Sequence, residues 1–272
     1  MKTLYASDLD GTLLRSNETL SPYTCATINA LVEKGMLFSY ATARSYVTAS
    51  RVTRELTARI PLIVYNGTFI IDNVTGKVLH AQAFDCDVCA VLDDLLSQEV
   101  YPIVYAMIDG KETFKYVDQC CTAGMRHFVD SRKDDPRKRP VDDASRLYDG
   151  AAFYITCVDE ESKLKPLYQK YREICHCVYH VDIYTRTRWL EMMPKGATKA
   201  NAIRHLQMML ECDRIFVFGD GKNDIEMFQN ADVSCAMENG EQELKAVASS
   251  VIGSNDQDGV AQWLDEHVRE EE

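Results

Sequence analysis

Two aspartates, Asp8 and Asp10, stand two residues apart in "YASDLDGTLL" (5–14), after the apolar run Thr3–Ala6 and before Gly11-Thr12. A carboxylate where a buried strand ends can attack phosphorus and form an acyl phosphate. A second carboxylate on the same face can protonate the leaving alkoxide and later deprotonate the water that hydrolyses the intermediate. Read alone, the pair also fits a polar turn. The other chemistry-bearing residues decide the weight. "YATARS" (40–45) carries Thr42, Ala43 and Arg44. "PKGATKANAI" (194–203) carries Lys195 and Lys199, and "FGDGKND" (218–224) carries Asp220, Asn223 and Asp224. Converging carboxylates repel one another and are tolerated when a cation sits among them. Oxygen ligands without a His or Cys neighbour point to Mg²⁺. Arg44, a lysine and the Thr42 hydroxyl suit a phosphoryl oxyanion instead.

These residues need elements that bring them together. "TLYAS" reads as a strand. "SPYTCATINALVEKG" (21–35) reads as a helix, with Ser21 as N-cap, Pro22 at the first position and Gly35 past the end. Its Ile28, Leu31 and Val32 repeat at helical spacing. "MLFSYAT" is a second strand, a helix is expected over Ser45 to Leu56, and "PLIVYNG" is a third strand. This β-α-β-α-β order implies an α/β, Rossmann-like parallel-sheet core with right-handed crossovers. The middle differs. A hairpin near Asn73 to Gly76 and a helix near 86–98 precede "YPIVYAMI" and "ETFKYVD", two strands joined by Asp109-Gly110. A strand over "GAAFYITCV", a helix over "EESKLKPLYQKYREI" and strands over "HCVYHVDIY" and "RWLEMMP" come next. Alternation then returns with a helix over Thr198 to Glu211, the strand "RIFVFGD", a helix over "NDIEMFQNA", the strand "VSCAM" and a final helix over "DGVAQWLDEHV". The expected organisation is a core of 1–83 and 189–272, interrupted by an α+β cap domain at 84–188. In an open parallel sheet ligands bind beyond the carboxyl ends of the strands, which is where Asp8, Thr42 and Asp220 fall.

Composition sets limits. The chain has 272 residues, 46% hydrophobic and 26% charged, and a formal net charge of −12. The acidic balance weighs against a nucleic-acid binder. No run of about 18 apolar residues marks a membrane span, and no apolar signal segment comes after Met1-Lys2, so a cytoplasmic protein is expected. The ten cysteines are scattered. Cys86 and Cys89 form a CxxC at a helix start, read as reduced packing thiols. The basic run "RKDDPRKRP" (132–140) reads as a solvated loop, with Arg137 a conceivable contact for a second anionic group. The closing "REEE" reads as a frayed end.

"DLDGTLL", "ATAR", "KGATKANAI" and "GDGKNDIEM", in that order, resemble the four motifs of the haloacid dehalogenase superfamily of phosphatases. "VYNGTFIID" and "NDQDGVAQWL" are similar to its Cof-type subfamily, which carries an α+β cap between the second and third motifs. The resemblance spans essentially the whole chain. It implies Asp8 as nucleophile and metal ligand. Asp10 becomes the general acid/base, with its backbone carbonyl on Mg²⁺. Thr42, with Ala43 beside it, binds phosphate. Lys199 neutralises the phosphoryl group, Asp220 and Asp224 serve the metal, and Asn223 contacts phosphate. Ala43 and Ala200 stand where the family usually has Gly, and Lys195 is the rival of Lys199. The implied activity is a Mg²⁺-dependent phosphatase of small phosphate esters, sugar phosphates foremost, in a monomer or small homo-oligomer. A hexose phosphomutase and a non-catalytic sugar-phosphate-binding regulator are the alternatives.

Overall fold

The computed structural model describes residues 1–57, 59–181 and 187–268. The chain opens with β1 (Thr3–Ser7), α1 (Pro22–Glu33), β2 (Leu37–Tyr40), α2 (Tyr46–Val52), β3 (Leu62–Val64), β4 (Phe69–Ile71) and β5 (Val78–Ala81). It continues through α3 (Val88–Ser97), β6 (Ile103–Ile108), β7 (Lys111–Val117), α4 (Ala123–Asp130), β8 (Lys138–Val141), β9 (Ala151–Asp159), α5 (Glu161–Tyr171), β10 (His176–Val181) and β11 (Arg188–Met193). It closes with α6 (Lys199–Leu210), β12 (Arg214–Gly219), α7 (Ile225–Gln229), β13 (Val233–Met237), α8 (Gln242–Lys245), β14 (Ser250–Ile252) and α9 (Gly259–His267). The chain divides into two compact units, Met1–Ala81 with Ala197–Glu272, and Gln82–Gly196. Among the described residues no helix is long and apolar enough to cross a membrane.

The first unit is an α/β/α sandwich on a parallel sheet of order β14-β13-β12-β1-β2. Its inner strands are buried on both faces, and the edge strand β14 is largely exposed. Tyr5, Phe38, Phe216 and Phe218 pack with Ile28 and Leu31 of α1 and Leu264 of α9. Leu4, Ala6, Ile215 and Val217 pack on the other side with Ile203 and Leu206 of α6 and Phe228 of α7. Alternation of side chains along each strand makes both faces apolar, which is the pattern of a covered parallel sheet. The α1 signals act as read: the Ser21 hydroxyl accepts from Thr24 N at 3.0 Å with Pro22 at the first turn. The topology then places the chemistry. From β1 the chain crosses to β2 on one side and returns through β12 on the other, so β1 lies at the switch point of the sheet. Ser7 is registered against both Phe218 and Tyr40, so the residues after β1, β2 and β12 emerge side by side.

The third predicted core strand differs from expectation. β3 touches the parallel sheet through one parallel bridge, Ala41 to Ile63, and pairs antiparallel with β4, which pairs with β5. The expected turn near Asn73–Gly76 is the β4–β5 connection, in which Asp72 Oδ1 accepts from Thr75 N and Oγ1.

The inserted unit is a six-stranded sheet of order β10-β11-β9-β6-β7-β8, antiparallel except for β7–β8. Leu92 and Leu95 of α3 and Leu164 and Leu167 of α5 cover Val104, Ile155, Leu190 and Met192 on one face. The basic run is a solvated loop only as far as Pro136. Lys138–Val141 is strand β8, and Arg137 is buried between Glu112 (Nη1–Oε1 2.5 Å) and Asp135 (Nη2–Oδ2 2.6 Å). Asp135 in the same run and Glu112 on β7 thus take up this cation. The end of the "HCVYHVDIY" strand beyond Val181 and the terminal "REEE" lie outside the described residues. Cys86 faces Cys175 at 3.9 Å, Cys89 is exposed, and every cysteine is a free thiol.

Candidate active site

Backbone pairing fixes the place of Asp8. Asp8 N donates to Phe218 O and Ala41 N donates to Ser7 O, both at 2.9 Å, so the sheet ladder continues up to Asp8. The chain then makes one wide helical turn over Leu9–Leu13, broken at Asp10 and Gly11, where Gly11 has φ +74°. A Cβ on Gly11 would lie 2.2 Å from Asp220 Oδ2. Only glycine supplies both the left-handed backbone and the room.

Asp8, Asp220 and Asp224 bring carboxylate oxygens within 4.8 Å of one another. Lys199, at the first turn of α6 and 3% exposed, stands among them. Its Nζ lies 2.8 Å from Asp8 Oδ1 and 2.7 Å from Asp224 Oδ1. Three carboxylates against one ammonium leave an excess of negative charge in a buried place. Burial pushes the Asp8 carboxyl up to about 8, with Lys199 opposing and Asp224 and Asp220 adding to the rise. Burial likewise pushes Asp220 up to about 6, against the hydrogen bond from Thr12. For Lys199 burial works against the charge, but Asp224 and Asp8 outweigh it and hold the ammonium above the ordinary lysine range.

The oxygens are not equivalent. Asp8 Oδ1 accepts from Leu9 N at 2.7 Å and pairs with Lys199. Asp220 Oδ1 accepts from Thr12 Oγ1 at 2.7 Å. Asp224 is fully engaged: Oδ1 takes Lys199, and Oδ2 accepts from Asp220 N at 3.1 Å and Gly221 N at 3.0 Å. Among the described residues no donor reaches Asp8 Oδ2 or Asp220 Oδ2. The Asp8 and Asp220 carboxylates could hold a cation, while Asp224 orients Lys199 and the 220–221 backbone.

The structure separates Asp10 from this cluster. Its carboxylate is gripped by Arg44, with Nε at 2.8 Å from Oδ2 and Nη2 at 2.5 Å from Oδ1, and Arg44 also reaches Glu18 at 2.9 Å. The cation assigned in sequence to a phosphoryl group is thus bound to an aspartate. Thr42 is fully buried and held by Thr42 N to Ile63 O at 3.1 Å, while its Oγ1 accepts from Arg44 N at 3.1 Å. Ala43 and Asn223 are exposed beside it and beside Asp224. Lys195 belongs to the inserted unit, where its Nζ donates to Glu173 O at 2.8 Å.

Sequence reasoning missed three partners. Thr12 anchors Asp220, and Glu18 shares Arg44. Asn239 donates from Nδ2 to Gly11 O at 2.8 Å. The signal that could have found Asn239 is its place two residues past the end of β13, a fourth strand end of the same sheet.

An aspartate ending the switch-point strand of a parallel sheet, an acid cluster and a buried lysine form a set suited to phosphoryl transfer. The model of the haloacid dehalogenase-like hydrolases matches residues 5–264. The chain belongs to this family, in its Cof-type branch, and is a phosphatase. It is 27% identical to 5-amino-6-(5-phospho-D-ribitylamino)uracil phosphatase YitU of Bacillus subtilis, over 97% of each chain. It is 28% identical to the HMP-PP phosphatase of Serratia proteamaculans, over 99% of this chain and 96% of that one. A haloacid dehalogenase-like hydrolase from Bacteroides thetaiotaomicron shares the fold with a TM-score of 0.76 at 22% identity, covering 98% of this chain and 99% of that one.

Proposed function

We propose that the chain is a Mg²⁺-dependent phosphomonoesterase of small phosphorylated metabolites, sugar phosphates foremost, working through an aspartyl-phosphate on Asp8. The observation that carries this reading is the asymmetry of Asp8. One oxygen is tied to Leu9 N and Lys199, and the other has no donor among the described residues. A carboxylate so held presents its donor-free oxygen in a fixed direction, which is what attack on phosphorus requires. Asp8 and Asp220, with the Asp10 backbone carbonyl, would hold the metal; the excess negative charge and the all-oxygen donor set fit Mg²⁺. When bound, the ion neutralises the acids and polarises the phosphoryl oxygens. Lys199 balances charge at Asp8, and Thr42, with the exposed Ala43 and Asn223, forms the phosphate-facing rim. Asp10 moves the proton. A protonated Asp10 cannot accept the full Arg44 fork, so this role requires the grip to open when an anionic substrate competes for Arg44.

The inserted unit, at Gln82–Gly196, is the substrate-selecting cap of this reading. The name of the Bacillus relative gives a small phosphoribityl compound as its substrate, which supports a phosphorylated carbon chain of sugar size. The test is phosphate release across phosphorylated sugars, nucleotides and cofactors with and without Mg²⁺. Turnover of sugar-sized esters that vanishes in Asp8→Asn and with chelator is expected. Full activity of Asp8→Asn would overturn the nucleophile, and hexose phosphate isomerisation without free phosphate, seen by phosphorus NMR, would make the chain a mutase.

A further inference from the structure

We infer that Asn239 is a positioning residue for the acid/base aspartate, acting through the Gly11 peptide; this rests on Asp10 moving the proton. The segment Asp10–Gly11–Thr12 interrupts the helical turn after Asp8, with Asp10 at ψ 125° and Gly11 at φ +74°. The turn closes on one wide backbone bond, Leu14 N to Leu9 O at 2.8 Å, so outside contacts must hold the Asp10–Thr12 peptides inside it. Three do. Arg44 grips the Asp10 carboxylate, the Thr12 hydroxyl bonds Asp220, and Asn239 Nδ2 donates to Gly11 O at 2.8 Å. The first two use side chains that the reaction must engage or release. Asn239 holds the backbone alone and stays in place while they change.

Asn239 is itself fixed from behind. Its Oδ1 accepts from Asn255 N at 3.0 Å, and Asn255 Nδ2 donates to Leu14 O at 2.9 Å. The two asparagines therefore tie both ends of the Gly11–Leu14 stretch to the segment before α9. The loop that carries Asn239 also rests on Asp220: Glu241 N donates to Asp220 O at 2.8 Å. Asn239 is exposed, and its amide is oriented by having a donor on one side and a carbonyl on the other. Aspartate of the same shape keeps the bond from Asn255 N but sets an acceptor against Gly11 O, which drives the peptide away. Alanine only vacates the position to water.

The experiment compares wild type, Asn239→Asp and Asn239→Ala on an alkyl phosphate and on p-nitrophenyl phosphate, at saturating Mg²⁺. An alkoxide leaving group needs the proton that Asp10 delivers, whereas p-nitrophenolate leaves with little help. The expected result for Asn239→Asp is a fall of about tenfold or more in kcat on the alkyl ester, a much smaller fall on the aryl ester, and KM within about twofold. Asn239→Ala falls less than Asn239→Asp, and both keep the wild-type melting midpoint within a few degrees. Equal losses on both esters, or an Asn239→Asp enzyme matching wild type, overturn the role. A wild type that turns over neither ester overturns the phosphatase reading beneath it, a result distinct from an active wild type with an indifferent variant.

Discussion

Replacing Lys199 by methionine tests the electrostatics of the site most directly. The side chain is 3% exposed and lies within 2.8 Å of both Asp8 and Asp224. Methionine keeps most of the apolar stem and deletes the charge. Breaking a buried ion pair by removing one partner costs about 3–5 kcal/mol, because the remaining charge is left uncompensated. For a chain of this size that lowers the melting midpoint by roughly 6–20 °C. The deficit depends on pH with a definite sign. The Asp8 carboxyl stands at about 8 even with Lys199 beside it, and removing the cation lifts it further. A carboxyl raised in the folded state is tolerated while it is protonated and costs stability as pH rises towards its folded value. The Lys199→Met deficit should therefore be small near pH 5 and largest above pH 8. The assay is calorimetry in chelator at both pH values, with phosphate release measured in Mg²⁺, where a loss of about a hundredfold or more is expected. A variant that melts within about 2 °C of wild type at pH 8, or whose deficit does not grow with pH, would refute the reasoning.

Other perturbations draw on the same contacts. Gly11→Ala should cost at least about 1 kcal/mol from its left-handed backbone, and its Cβ would strike Asp220 Oδ2 at 2.2 Å; Mg²⁺ titration calorimetry should show weakened binding. Arg137→Ala should destabilise the inserted unit by about 3 kcal/mol, since Glu112 and Asp135 lose their shared cation; unchanged chemical denaturation would contradict the buried assignment. Asp258 is held below the ordinary carboxylate range: burial alone would raise it, but hydrogen bonds from Arg15, Ser21 and Thr24 prevail. A depressed carboxylate contributes stability that is present above the unfolded value and lost as pH falls through the folded one. Asp258→Asn should therefore flatten the acid limb of the stability curve below about pH 4, and an unchanged acid limb in urea titrations would count against it.

The alternating strand and helix signals, the Ser21-Pro22 helix start and the strand-end positions of Asp8, Thr42 and Asp220 are local properties, written in residue type and period. They determined the α/β core, the interruption in its middle and the residues worth watching, and motif order carried the family. What the letters could not determine was which charge meets which. The burial of Arg137 is hidden in the letters because its second acid, Glu112, lies in another strand, joined to it only by the fold. Arg44 reads as a phosphate ligand because nothing local shows Asp10 within its fork. Thr12 and Asn239 look like turn residues until the carboxyl ends of β1, β12 and β13 stand side by side. Pairing of this kind depends on strand order and register across more than two hundred residues of chain, and short-range pattern holds no information about it. The sequence named the acids and the lysine; only the tertiary structure decided that Asp8 and Asp220 each keep one oxygen without a donor among the described residues, while Asp224 gives both of its own to holding the site in shape.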